Sequence, residues 1–388
     1  MIEAEVLHPS VLTAEDAVQW ATWAQATPDF GSPLLGPDFA QAVGALRPDA
    51  RVAVFRWGGA VRGFLAFHAR PSGYARPIGS PFSDYHALIT PPGQPVDGAQ
   101  ALAAAGVSAF RVTALIDPWG CFPAVPAPTD EGFLIRLDGA GAEAYSERLR
   151  ALSPKRFKNW RRLESKLERE VGPISMVGPD YSQAAYDLLM RWKREQLKRT
   201  GLHDFLGADW SRGLMQTLFD KRDGDLQGLM ITLRAGDRII AGHFGVRLGG
   251  VYHPWIASID PQGGAWSPGQ TLLSRAIRFM PQLGLNTYDL APGHAHYKAP
   301  FCMDRRPVAE GMAVAATSAG RFRSQAEGAW TVAGHAAPAV GRLRRRMDHI
   351  AAVELSVGGR IKGLLGAVAA QGRRGRGAEG VDDALGGV

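Results

Sequence analysis

Residues 251–279 read VYHPWIASIDPQGGAWSPGQTLLSRAIRF. The first nine are rich in β-branched and aromatic residues and predict a strand. Gly263, Gly264 and Gly269 keep the loop and the first helical turn open to close backbone approach. Ser267 stands at the N-cap position and Pro268 at the first position of a helix. Leu272, Leu273, Ala276, Ile277 and Met280 then share one face, and Pro281 ends the helix by restricting Met280 and removing a donor. Such a helix start presents free N–H groups and the positive end of a dipole, which suits a phosphate or pyrophosphate. From spacing alone, a plain capped helix behind a glycine loop is the preferred reading.

Upstream of this stretch, residues 229–247, LMITLRAGDRIIAGHFGVR, read as strand, Ala-Gly-Asp turn, strand. They echo residues 51–69, RVAVFRWGGAVRGFLAFHA, and each hairpin is followed by a third strand, GYARPIGS in the first case and GGVYHPWIASI in the second. Two copies of one α/β domain account for the echo, although hairpins are common enough to coincide. Further upstream, SPKRFKNWRRLESKLERE (153–170) opens with Ser153 as N-cap and Pro154, and Phe157, Trp160, Leu163 and Leu167 form an apolar stripe. The opposite face is basic. A second helix covers about 182–200 and stops at Thr200-Gly201. Downstream come the strand NTYDL and YDLAPGHAHYKAPF (288–301), with two histidines, a tyrosine, a lysine and an aspartate, then a short helix.

The 388 residues, 46% hydrophobic and 21% charged, are those of a soluble globular protein. No run approaches the roughly 18 apolar residues of a membrane span, and MIEAEVLHPS lacks the apolar core of a signal peptide. The expected location is the cytoplasm, with a peripheral place at the inner membrane face as a variant. Cys121 and Cys302 stand far apart without ligand spacing and read as reduced thiols. The net charge of +7 is confined to residues 341–376, with nine basic and two acidic residues, while the remainder balances at 35 and 35. That segment reads as a solvated tail or as an amphipathic contact for anionic lipid. A basic tail without interleaved aromatics argues against a DNA-binding role.

Strand, glycine-containing loop and helix, in that order, are also the pyrophosphate-binding layout of the GNAT acyltransferase superfamily. YHPWIAS, SPGQTLLSRAIR, LGLNTYDLAPG and HYK, with SPLLGPDFA, ARPIGSPFSDYHALI and SPKRFKNWRRL upstream, together resemble the CelD/BcsL-like GNAT branch over residues 15–315. That branch is associated with cellulose and exopolysaccharide biosynthesis and is related in design to the Fem aminoacyltransferases. The resemblance implies an α/β (α+β) tandem GNAT-like N-acyltransferase fold, a mixed and mostly antiparallel sheet with flanking helices. It implies a degenerate GNAT-like domain at 1–145, a catalytic GNAT domain at 146–315 and a flexible basic tail at 316–388. It implies acyl-CoA, acetyl-CoA above all, lying between two splayed strands with its pyrophosphate at Ser267, Pro268, Gly269 and Gln270 and its chain beside Trp255. The implied acceptor is an amine on a sugar or glycan precursor. A Fem-type enzyme using aminoacyl-tRNA and a non-catalytic accessory of a polysaccharide synthase, docked through the basic tail, stay open as rivals. The family usually places an acidic residue between the last glycine and the YK pair; here His294 and Ala295 stand there.

N-acyl transfer from a thioester needs a base for the amine, donors for the oxyanion and an acid for the leaving thiolate. Lys298 is cationic and suits anion stabilisation; it has no evident packing purpose beside a strand-end loop. Tyr297 suits donation to the leaving sulfur. His296, His294 and His253 have the ordinary pKa of a base. Asp289 suits orienting a histidine or holding an amine. His294-x-His296 lacks a third ligand, so no metal is assigned. His243 and His253 also read as structural strand histidines, and Tyr297 and Trp255 as packing residues. In the first half, Asp84, Tyr85 and His86 are assigned to an acceptor cleft, and no counterpart of the SPGQ helix start is found.

Overall fold

The computed structural model describes residues 2–293, 295–355, 358–361 and 363. Its elements run twice through one order. The first pass is β1 (Glu3–Leu7), α1 (Ala14–Ala26), α2 (Pro37–Gly44), β2 (Ala50–Trp57), β3 (Ala60–Arg70), β4 (Tyr74–Pro77), α3 (Gly98–Ala104), β5 (Ala109–Leu115), β6 (Asp130–Arg136), α4 (Gly141–Leu152) and α5 (Pro154–Glu170). The second is β7 (Ile174–Val177), α6 (Gln183–Thr200), α7 (Asp209–Asp220), β8 (Leu226–Ala235), β9 (Arg238–Leu248), β10 (Val251–Ile259), α8 (Pro268–Phe279), β11 (Thr287–Asp289), a single-turn insertion α9 (Ala295–Lys298), β12 (Asp304–Val314), α10 (Ser318–Ala336) and α11 (Pro338–Val353). The repeated hairpins thus belong to a repeat of the whole chain.

The chain nevertheless divides into two compact units at Glu131/Gly132 and Arg306/Pro307. In the first unit the strands run β1-β2-β3-β4-β5-β12, and in the second β7-β8-β9-β10-β11-β6. All neighbours are antiparallel except one pair in each unit. β4 runs parallel to β5 over Tyr74↔Ala109 and Ala75↔Phe110, and β10 parallel to β11 over Val251↔Thr287 and Tyr252↔Tyr288. Each repeat therefore gives its last strand to the other unit: β6 pairs with β11, and β12 with β5. The expected division at 145/146 falls 14 residues too late for this reason, because strand patterning does not reveal which sheet a strand joins.

The exchange also recasts the expected flexible tail. α10 and α11 repeat α4 and α5, and they pack on the first unit. Ile350, Ala352 and Val353 are buried there, Arg76 pairs with Asp348 at 2.9 Å, and Arg344 pairs with Glu327 at 2.5 Å. Glycine-rich flanks hide this in the sequence. Arg373, Arg374 and Arg376 lie outside the described residues. No helix among the described residues is long and apolar enough to cross a membrane.

Local chemistry explains the elements of the second unit. α6 starts at Ser182, whose side chain accepts from the Ala185 amide, and stops at Gly201, held at φ 66° where glycine meets no steric cost. α8 ends at Phe279 and passes into a short 3-10 turn containing Pro281. α5 buries Trp160, Leu163 and Leu167 as its stripe predicts. Ser153 occupies its N-cap position but makes no side-chain cap. α7 and β7 are elements that the sequence pattern left unassigned.

Candidate active site

The second unit opens where β10 leaves β11. The parallel ladder ends at Tyr252 and Tyr288, although β10 continues to Ile259. Two features of β10 coincide with that end. Pro254 brings no amide hydrogen, and Trp255 is the extra residue of a β-bulge against β9, between Pro254↔Gly245 and Ile256↔Phe244. The bulge needs Gly245, because a Cβ there would stand 2.1 Å from the His253 carbonyl oxygen. β11 instead stays with β6: Leu290 donates to the Phe133 carbonyl, and Phe133 donates to that of Ala291. The result is a wedge between two parallel strands.

α8 begins beside the far end of β10. Ser267 stands at φ 46°, ψ 57°, and its side chain makes no cap bond, so it is not the side-chain N-cap expected of it. With Pro268 next, the first turn is left open to an anion. In the first unit the equivalent helix, α3, is closed: the Asp97 carboxylate accepts from the Ala99 and Gln100 amides at 3.0 and 3.1 Å. A resident carboxylate at that terminus opposes a phosphate.

Buried polar groups gather at the wedge. His243 on β9 and Tyr288 on β11 share a 2.5 Å hydrogen bond. Burial and the charges of Lys193 and Lys298 push the imidazole down to about 3, and burial pushes the phenol up, so both are neutral. Asp289 is fully buried; it accepts from the Ala291 amide at 3.0 Å, pairs with buried Arg306, and lies 3.7 Å from His253 Nδ1. Its carboxylate is thus matched within the fold, which corrects the expectation that it holds an amine substrate. Lys298 also has a packing purpose after all. It is 7% exposed, and its ammonium donates to the carbonyls of Pro292 at 2.8 Å and Ala291 at 3.4 Å, tying α9 to the strand end.

Tyr297 is the informative member. Its hydroxyl is buried and has no hydrogen-bond partner among the described residues. Burial pushes its pKa up, so it is a proton donor rather than a base. His296 is exposed beside it, His253 is wholly buried, and His294 lies outside the described residues. Trp255 is buried at the bulge. In the first unit, Tyr85 is core, and His86 is buried with Nε2 accepting from the Thr113 and Ala114 amides. Neither serves as an acceptor-cleft residue as expected; Asp84 is half-buried. Among the described residues no group of three or more His, Cys, Asp and Glu is arranged for a metal.

Residues 154–299 match the family profile of the acetyltransferase (GNAT) domain. They have the GNAT fold. GNAT domains use acyl-CoA, and the open α8 terminus, the splayed strands and the orphan Tyr297 hydroxyl fit such a co-substrate. Among solved structures the chain is similar to a tandem GNAT protein from the clavulanic acid biosynthesis pathway, at 12% identity, covering 82% of this chain and 100% of that one, with a TM-score of 0.46. It is also similar to FemX, at 10% identity, covering 79% and 96%, with a TM-score of 0.47. No curated protein sequence matches it.

Lys193 in the GNAT domain was missed from the sequence, where a lysine inside LLMRWKREQLK reads as surface. It is 1% exposed on α6, and burial, aided by Lys298, lowers it to about 8. From its ordinary 10.5 that shift corresponds to roughly 3 kcal/mol of destabilisation while the group is protonated. Between about 8 and 10.5 the unfolded chain binds the extra proton, so stability from this group rises with pH across that window and the cost is complete below it. Lys193→Met is therefore expected to raise the unfolding midpoint at pH 7, with the gain shrinking towards pH 10. A gain that does not change with pH overturns this reading.

Proposed function

We propose that the protein is an N-acyltransferase that moves an acyl group, acetyl in the simplest case, from acyl-CoA to an amine of a sugar or envelope-glycan precursor. The observation that carries this is the wedge beyond Tyr252 and Tyr288, with the uncapped α8 terminus at one side and the unpartnered Tyr297 hydroxyl beside it. In this reading the amide groups of the first α8 turn hold the donor's pyrophosphate. The amine attacks the thioester carbonyl, His296 takes the amine proton, the C–S bond breaks, and Tyr297 protonates the leaving sulfur. Lys193 and Lys298 provide positive potential for the oxyanion without having to move. Both substrates bind together, so no covalent enzyme intermediate is needed. The CelD/BcsL-like pattern of motifs supports the choice of a glycan precursor.

The contrast between the two helix starts supplies the test. Ser267→Asp would bring a negative charge to the start of α8, as Asp97 brings one to α3, and aspartate tolerates the left-handed backbone at this position. By calorimetry, the wild type is expected to bind acetyl-CoA and the variant to bind at least about tenfold more weakly while remaining folded. Failure of the wild type to bind acetyl-CoA, or binding of aminoacyl-tRNA in its place, overturns the proposal.

A further inference from the structure

Helix α5 matches its acids and leaves most of its cations unmatched. Each of its three carboxylates has a partner: Glu164 and Glu168 meet Arg275 of α8 at 2.5 and 3.2 Å, and Glu170 accepts from the Trp266 indole at 2.8 Å. Five of its seven cations, Lys155, Arg156, Lys158, Arg161 and Arg162, lie on the solvent side, all exposed; Arg169 has Glu170 at 4.0 Å. Among the described residues none of the five has a carboxylate in ion-pair range, and Arg162 bonds only the Asn159 amide oxygen. The fold does not require this arrangement. In the repeat, α11 matches Arg344 with Glu327 of α10 at 2.5 Å.

The cations border a concavity. Between α4 and α5 lies a groove of about 720 Å³, lined by Arg150, Phe157, Lys158, Arg161, Arg162 and Ser165, whose one acid, Glu147, is already held by Arg150 at 2.6 Å. This volume lies within the range of small-molecule sites, roughly 300–1,000 Å³. The half-buried Phe157 offers a ring face, and the guanidinium groups of Arg161 and Arg162 suit the fork geometry of phosphate oxygens. Phe157 packs towards Trp160, which stacks on Phe301 at 4.2 Å, three residues beyond Lys298. Phe157, Trp160, Tyr297 and Phe301 share one apolar cluster. A ligand in the groove therefore rests on the same packed layer that carries α9.

We propose that the α4–α5 groove binds the phosphate groups of a small acceptor, of the size of a nucleotide or a sugar diphosphate. The acceptor assignment rests on the acyltransferase reading; the phosphate chemistry does not. The groove's volume, within the range of small-molecule sites, favours a compact ligand over a polymer or a membrane.

Calorimetry with UDP and with inorganic pyrophosphate tests this on the full chain, with acetyl-CoA titrated separately. Arg161→Glu/Arg162→Glu is expected to weaken both phosphate probes by at least about tenfold, and Lys158→Ala to weaken them less. The wild-type affinity should fall with added salt, while acetyl-CoA affinity stays within about twofold in both variants. The exposed positions should leave the unfolding midpoint of each variant near that of the wild type. The proposal is overturned if UDP and pyrophosphate fail to bind the wild type, or bind the double variant equally well. It is also overturned if RNA or anionic vesicles bind through Arg161 and Arg162 while UDP does not. If UDP binds and responds to the variants while acetyl-CoA does not bind, the groove stands and the acyl-donor reading falls.

Discussion

Arg306→Met is expected to destabilise the protein by roughly 3–5 kcal/mol, read from urea unfolding, because it leaves the Asp289 carboxylate buried without its cation. Arg306 is 2% exposed and Asp289 is fully buried, so water cannot take the place of the lost guanidinium. The Ala291 amide and the nearby His253 ring, which also contact Asp289, do not carry the full positive charge that Arg306 supplies. The double variant Arg306→Met/Asp289→Leu should recover much of the loss, since removing both charges also removes their desolvation cost. The exposed pair Arg148–Asp138, at 2.7 Å, serves as the contrast: Arg148→Ala is expected to shift the urea midpoint far less than Arg306→Met does. A loss below about 1 kcal/mol for Arg306→Met would mean that Asp289 is protonated or solvated in the folded state.

Arg306 also marks the limit of what the sequence discloses. Periodicity identified both hairpins, the stripe of α5, the Gly201 stop and the loop-to-helix step at Ser267, because each depends on residues a few positions apart. In DRRPVAEG nothing distinguishes Arg306 from the arginine before it, since its partner lies 17 residues away on another strand. Lys193 is hidden likewise: the neighbouring charges of α6 suggest a wet face, and only packing against the sheet buries it. His86 erred in the opposite sense. Its clustering with Asp84 and Tyr85 looked like a site, but the ring serves two amides of β5. Strand exchange was illegible for a further reason. β6 and β12 carry the alternation of ordinary strands, and the choice of sheet is made by long-range pairing that no local pattern encodes.

Tyr297→Phe should lower kcat by about 10²–10⁴-fold, the usual contribution of a positioned proton donor. The variant removes one oxygen that the fold does not use, since the hydroxyl has no partner among the described residues. Stability should therefore hold or rise slightly, because an unsatisfied buried hydroxyl costs free energy. That combination separates this residue from Arg306, where removal acts on the fold. The proton's destination gives a second readout. If Tyr297 protonates the leaving sulfur, a thioester whose thiol is already a weak base needs little help, so an aryl thioester should lose far less rate in the variant than acetyl-CoA does. KM for the donor should change little, because the hydroxyl acts as the C–S bond breaks. Equal losses with both thioesters would place Tyr297 in substrate positioning, and an unchanged kcat would remove it from the reaction altogether. The raised pKa sets the pH dependence: the phenol stays protonated through the neutral range, so Tyr297 itself should add no limb to the rate profile there.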